Sequence, residues 1–334
     1  MKGRRHIASL LGACAAAALL AFAPASPARA ADGPGAPLRI GIVAEPGAGN
    51  TVAGLGLLKE AYARALGTKV EFLVARDYGA LVEAQAAGRV QYAIYSALAY
   101  AAASERCGCV EPVAAPLDEN GAVGIRSVLI ARRDGMQDVA GIASYKVAAG
   151  PAGSAAGWLL PLAGLGGEPA KLAEDAPYLL HAESASAAEA MFADGQADSL
   201  FGWQPAAADG EADPPGGTLA RLEAAGVAPS DLRVVWRSEL LRFGPHAVLK
   251  SLDPEIKRRL GVFLVNLKAQ SPEIYDLAER HHAGGFVRVA APDYAAAQAV
   301  SAWKRRARPP GAERRGAYLS QPMQAMVCVM RGRT

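Results

Sequence analysis

The sequence predicts an α/β protein of two similar lobes, each a mainly parallel sheet flanked by helices, and three observations carry that prediction. Short β-rich runs alternate with amphipathic helical segments from residue 38 to about residue 250, the order that produces βαβ units and parallel strands. About three hundred residues follow an N-terminal segment unlike the rest, which is more chain than one small core requires. No stretch beyond residue 30 is long and apolar enough to span a bilayer, although 51% of the 334 residues are hydrophobic.

Element by element, residues 38–43 read as a strand, 52–66 as an amphipathic helix, 69–74 as a strand, 78–87 as a helix ended by Gly88, and 90–95 as the third strand. Residues 111–116 continue the pattern, and Asn120-Gly121 marks a turn before a strand at 127–131. A second αβ unit follows, with strands at 146–149, 178–180, 199–203 and 233–236. Helices start near Ser154 and Ser186. Residues 206–217, rich in Gly, Pro and acid, read as an exposed loop. Residues 246–250 form a returning strand, and helices at 254–268, 272–281 and 292–304 close the chain, each opened by a proline suited to a first helical turn. The lobes are drawn as residues 31–120 with about 251–303, and residues 121–250, followed by a basic tail at 304–334.

The first thirty residues have the three parts of a secretory signal: Lys2, Arg4 and Arg5, an apolar run at 7–22, and Ala28-Arg29-Ala30 before Ala31. Export and cleavage are the expectation, with a lipid anchor on Cys14 as the lesser alternative. The net charge of +3 conceals an asymmetry, because residues 31–303 carry 23 Lys and Arg against 31 Asp and Glu, while the tail carries eight basic residues and one acidic. Export argues against a nucleic-acid partner for that tail, and a solvated end is the plainer reading. Of the cysteines, Cys107, Cys109 and Cys328 survive cleavage. A bond within Cys107-Gly108-Cys109 closes a tight ring, so a link to Cys328 is the more relaxed pairing.

The richest segment for chemistry is Ala149-Gly150-Pro151-Ala152-Gly153-Ser154-Ala155-Ala156-Gly157-Trp158, which follows a strand and opens a helix. Small residues let a ligand approach the backbone, Ser154 is placed to cap the helix, and first-turn amides point outward, which together suit an anion. An ordinary capped turn is the competing reading. Catalytic signatures are missing: there is no Gly-x-Ser-x-Gly elbow, no Gly-x-x-x-x-Gly-Lys loop, no His-Glu-x-x-His and no cysteine with a nucleophile's partners. The chain is therefore read as a binding protein and not an enzyme. No cofactor or metal is implied, and His281-His282 read as a helix terminus.

In order and spacing, the chain resembles the phosphate, phosphite and phosphonate-binding components of ABC importers, with sulfonate-binding proteins as more distant relatives. The resemblance rests on Leu38-Arg39-Ile40-Gly41-Ile42-Val43, on Asp77-Tyr78-Gly79-Ala80-Leu81-Val82-Glu83-Ala84 before Gly88-Arg89-Val90, and on Ala99-Tyr100. It continues through Arg126-Ser127-Val128-Leu129-Ile130-Ala131-Arg132, the 150–161 turn, Ala193-Asp194-Gly195-Gln196-Ala197-Asp198, Val234-Val235-Trp236-Arg237-Ser238 and Gly244-Pro245. It implies a type II periplasmic-binding clamshell, a small anionic ligand in the cleft, an inner-membrane permease as partner, and a monomer.

The family's Ser-Thr-Ser anion turn corresponds here to Ser154-Ala155-Ala156, and its Ser-His at a later helix start to Ser184-Ala185-Ser186. Two hydroxyls and an imidazole are absent, each a donor worth roughly 1.5–3 kcal/mol to a charged oxygen. The resemblance maps its tyrosine onto Tyr100. Further candidates for the cleft are Tyr95, Ser96, Arg126, Ser127, Asn50 with Thr51, and Trp203, while His181 stands near enough to Ala185 to replace the lost imidazole. The reduced donor set also admits another role, an exported sensor or adaptor that kept the clamshell.

Overall fold

The computed structural model describes residues 36–44, 52–208 and 210–307. Among them the chain runs β1 (Leu38–Val43), α1 (Leu55–Leu66), β2 (Val70–Ala75), α2 (Tyr78–Ala86), β3 (Tyr92–Ile94), α3 (Ala97–Cys107), β4 (Val110–Leu117) and β5 (Gly124–Arg132). It continues with β6 (Val147–Ala149), a π-turn (Ala155–Leu159) running into α4 (Leu160–Leu165), β7 (Leu179–His181), α5 (Ala185–Ala193), β8 (Ser199–Ala206) and α6 (Gly217–Ala224). The last part is β9 (Leu232–Arg237), β10 (Leu241–Arg242), β11 (His246–Leu249), α7 (Pro254–Gln270), α8 (Pro272–Ala278), β12 (Gly285–Arg288) and α9 (Ala295–Ala307).

Two six-stranded sheets result. The first is ordered β12-β4-β11-β3-β1-β2, and the second β10-β5-β8-β6-β7 with β9 also on β5. The parallel βαβ core expected from the alternation is present in each, as β2-β1-β3 and β7-β6-β8. Each sheet is nonetheless mixed, because β11, β4 and β12 in the first and β5, β9 and β10 in the second add antiparallel pairs. Antiparallel neighbours need no helical crossover, so the long strands on either side of a lobe crossing attach in this way.

The boundary drawn at residue 250 is corrected by β11. His246–Leu249 is buried along its whole length, and such a run belongs inside a covered sheet. It pairs with β3 and β4 in the first sheet, not with the second. The chain thus crosses between sheets at residues 118–123 and again at 243–245, and the crossings are bonded together by Phe243 N donating to Val123 O at 3.0 Å. α9 is not confined to the first lobe either, since it packs on both α3 and α4.

The cysteine pairing is corrected as well. Cys107 and Cys109 are bonded to each other, with Cα atoms 5.0 Å apart. α3 ends at Cys107, and Gly108 adopts the left-handed conformation (φ 59°), which folds the chain back and brings the two side chains together. Cys328, Cys14, the signal segment and most of the basic tail lie outside the described residues. Four elements have no range in the sequence reading, α3, α6, β10 and β12: α6 sits behind the acidic loop, β10 is two residues long, and β12 has only four residues after a glycine pair.

Candidate functional site

The carboxyl end of the second sheet is where β6 stops and β8 runs on. β6 is paired with β8 only through Ala148, opposite Leu200, so the edge of β8 beyond that point is open. Into this opening comes the glycine-rich turn. Gly150 N donates to Gly157 O at 3.0 Å, and a Cβ on Gly157 would lie 2.9 Å from Gly150 Cα, so neither position has room for a side chain. The turn closes on itself, and the amides of Ala155, Ala156 and Gly157, in the first turn of the helical segment, have no intrahelical acceptors.

Ser154 holds the position before the helix but does not cap it: its Oγ makes no bond to a first-turn amide and is buried without a partner. The cause is the width of the first turn. Leu159 N reaches back five residues to Ser154 O, at 2.9 Å, and Leu160 N does the same to Ala155 O. A π-turn carries the second and third amides away from the place where a capping hydroxyl meets them in an α-helix. The hydroxyl lies instead over the Gly150–Gly157 contact.

Ser127, on β5, is buried, and its hydroxyl donates to Ala156 O at 2.6 Å, tying the turn to the sheet. Ser127 N in turn donates to Ser238 Oγ at 2.9 Å. Arg126, next along β5, donates from Nη1 to Ser238 O at 3.1 Å. Ser184 caps α5 by accepting from Ala187 N at 3.0 Å and also bonds Ser186 Oγ at 3.0 Å. His181, opposite Ala149 in the ladder, stacks on Trp158 with ring centroids 4.9 Å apart. Trp203 pairs with Ser127 in register and is half-buried, in the same apolar cluster as Ala155 and Ala156.

At the first sheet the expected residues follow β3. Ser96 caps α3 by accepting from Ala99 N at 3.2 Å. Tyr95 is buried, its amide donates to Pro245 O at 3.1 Å, and burial pushes its hydroxyl above the usual phenol range. Tyr100 is also buried, edge-on to Tyr294 with centroids 4.8 Å apart where α3 meets α9. Burial, aided by the charge of Glu111, raises its hydroxyl to about 12, so it is neutral at every physiological pH. Asn50 and Thr51 lie outside the described residues.

The structure therefore brings Ser127, Ser154, Ala155, Ala156 and Trp203 together around one turn, with Ser184 and His181 on the neighbouring strand end and Arg126 beside Ser238. Tyr95, Ser96 and Tyr100 belong to the other sheet. Sequence reasoning missed Thr218, Arg221 and Glu189, which reach the open edge of β8 from α6 and α5. Leu219 and Leu222 at helical spacing were the available signal, hidden behind Pro214-Pro215-Gly216-Gly217.

A family model described as the periplasmic phosphonate substrate-binding protein of ABC transporters matches residues 40–294. The phosphate-import protein PhnD of Mycolicibacterium smegmatis (strain ATCC 700084 / mc(2)155) is 31% identical over 208 residues, covering 58% of this chain and 60% of that protein. The matched region thus spans about three fifths of that relative's length. XAC2383 from Xanthomonas citri, solved bound to chloride ion, has a TM-score of 0.52 at 19% identity over 80% of this chain and 97% of its own. The same protein solved bound to ATP gives 0.51 at 17% identity over 80% and 97%. At such identities the likeness is one of fold.

Proposed function

The chain belongs to the periplasmic phosphonate substrate-binding proteins of ABC transporters, and on that premise we propose that it holds a small oxyanion of the phosphonate, phosphate or phosphite kind between its lobes and delivers it to an inner-membrane permease. The observation that carries the proposal is the turn after β6, whose ring of small residues exposes the Ala155, Ala156 and Gly157 amides at the carboxyl end of a parallel sheet. Free amides at a helix start favour an anion by hydrogen bonding and by the helix dipole together. Such sheets bind their ligands at this end. Ser127 and Trp203 stand beside the turn, and Tyr95 and Ser96 complete the cleft from the first lobe, with Ser184, Tyr100, Arg126 and Asn50 as outer contributors.

The two crossings at residues 118–123 and 243–245 act as the hinge, and the ligand selects the closed form by touching both lobes. No helix among the described residues is long and apolar enough to cross a membrane. Export through residues 1–30 places the mature protein in the periplasm, as a monomer that needs no cofactor. The missing hydroxyls at Ala155 and Ala156 favour one other reading, an exported sensor or adaptor, in which a ligand is bound but no permease is engaged.

The test is thermal unfolding of the protein from Ala31 onward with phosphate, phosphite, phosphonates, sulfonates and carboxylates at matched ionic strength. A ligand at a hundred times its Kd adds about 2.7 kcal/mol and a clear rise in Tm. No shift from any oxyanion overturns the proposal.

A further inference from the structure

The guanidinium of Arg221 sits beside Trp203 on β8, past Leu200, where the pairing of β8 with β6 ends. Trp203 N donates to Thr218 Oγ1 at 3.1 Å across the open edge of β8, and Arg221 Nη2 approaches the same oxygen at 3.4 Å. Nε donates to Glu189 of α5 at 2.9 and 3.0 Å, and Nη2 bonds Glu189 Oε1 as well. The Cζ atom stands 5.3 Å from the centroid of the Trp203 ring. Three elements of the second lobe thus meet at one cation: β8 by the Trp203 ring, α6 by the Thr218 hydroxyl, and α5 by the Glu189 carboxylate.

Glu189 uses Nε and Nη2. Nη1 is buried and has no acceptor. Two of the other five buried side-chain atoms without a partner among the described residues lie in the same lobe, Gln204 Oε1 on the residue after Trp203 and Ser154 Oγ in the turn. A buried guanidinium nitrogen left without an acceptor is costly, and it marks a place where a ligand's acceptor would belong. Arg221 offers what the turn lacks. Ala155, Ala156 and Ala185 stand where hydroxyl and imidazole donors would be expected for a phosphonate-type anion, while Nη1 carries two N–H groups on a rigid, permanently charged plane.

We propose that Arg221, oriented by Glu189 and braced on Trp203, is the side chain that positions the oxyanion in this site, in place of the absent hydroxyls and imidazole. The inference rests on the oxyanion reading given above. It also makes Glu189 a determinant of specificity: its carboxylate fixes the fork and offsets its charge, so the pair favours a singly charged oxyanion over a doubly charged one of the same shape.

The experiment titrates methylphosphonate and methanesulfonate, near-isosteres of different maximal charge, into the protein from Ala31 onward by calorimetry at pH 6 and pH 9. Arg221→Gln weakens whichever probe the unaltered protein binds by about 10- to 100-fold, the worth of one charge-assisted bond, and Arg221→Lys restores part of it. Glu189→Gln, which keeps the shape, improves methylphosphonate relative to methanesulfonate at pH 9, a charge-dependent split that a purely structural α5–α6 bridge does not produce. Binding in Arg221→Gln within about twofold of the unaltered protein overturns the inference and leaves the oxyanion function standing. An unchanged ratio in Glu189→Gln overturns it also, even if Arg221→Gln fails to fold. Phosphate and phosphite are titrated alongside, and binding of none of the four by the unaltered protein overturns the oxyanion reading together with this inference.

Discussion

The two lobes are built of opposite kinds of residue around their parallel strands. Around β3 the first lobe is aromatic and its hydroxyls satisfy one another, although Gln85 Oε1 and His246 Nε2 stay buried without a partner: Tyr62 Oη and Tyr92 Oη are 3.1 Å apart, Tyr92 Oη bonds His246 Nδ1, and Phe72 and Phe263 pack on Tyr62. Around β6 the second lobe is built of Gly, Ala and Ser, its first-turn amides have no intrahelical acceptors, and its buried donors include several with no partner. A region whose polar groups are paired internally gains rigidity and has little left to offer a ligand. A region with spare donors gives up stability for binding. On the proposed function, the comparison predicts that stability rests chiefly on the first lobe and recognition of charge on the second, and it can be broken by variants that cross the two effects.

The largest effect belongs to Tyr62. Replacing it by Ala empties a site lined by Phe72, Tyr92 and Phe263 and strips Tyr92 of a hydroxyl partner. The expected loss is about 3–5 kcal/mol in urea unfolding, with anion affinity of the folded fraction unchanged. A matched loss of affinity at low denaturant would show that the two lobes are not separable in this way.

Next comes acidity. His246 is fully buried on β11 beside the crossing at 243–245, and its Nε2 has no partner. Burial lowers its pKa to about 4, against the weaker opposing pull of Glu279. An unfolded histidine titrates near 6.5, so the unfolded chain takes the extra proton first. The stability from keeping this ring neutral is complete above about pH 6.5 and falls as pH drops towards 4, by about 3 kcal/mol over that window. Urea midpoints at pH 7.5, 5.5 and 4.5 read the slope, and His246→Phe should flatten it. A flat profile in the unaltered protein would mean that Nε2 is solvated and that the first lobe is looser than its packing implies.

The same contrast explains what was legible in the sequence. Strand and helix alternation is a local signal, so β1, β5, β6 and α7 appear in the structure within a few residues of their expected places. The small-residue turn was equally legible, since Gly150 and Gly157 face each other within one turn of chain. What could not be read was long-range: which sheet receives β11, that β11 and β5 join the parallel cores antiparallel, and that Arg221 on a helix behind a proline-glycine loop returns to Trp203 on β8. Those depend on register between segments far apart in sequence, and no periodicity encodes it. Ser154 failed as a cap for a different reason, because residue type suggests a cap while the width of the first turn decides whether the hydroxyl can reach an amide.

A carboxylate placed in the turn tests the other half of the comparison. Ala155→Glu sets a negative charge beside the first-turn amides and fills the small space above them. Anion response should fall at least tenfold, while stability without ligand changes by about 1 kcal/mol or less, as expected of a half-exposed position. Loss of stability equal to that of Tyr62→Ala would place the turn in the structural core and remove it from the site.

The smallest effects separate two serines that look alike in sequence. Ser184 and Ser154 each precede a helix at a strand's carboxyl end, but only Ser184 accepts an amide, that of Ala187, at 3.0 Å. Ser184→Ala therefore costs about 1 kcal/mol, the usual worth of a cap. Ser154→Ala removes a buried oxygen that has no partner, so its effect without ligand is near zero or slightly stabilising. With a bound oxyanion the order reverses: Ser154 Oγ, unpartnered in the turn itself, is free to donate to the anion, so Ser154→Ala lowers anion affinity more than Ser184→Ala, whose hydroxyl is already engaged by the Ala187 amide. Paired unfolding and titration of the two variants reads both signs at once. Equal losses of stability would mean that Ser154 caps its helix after all, and that the spare donors of the second lobe number one fewer.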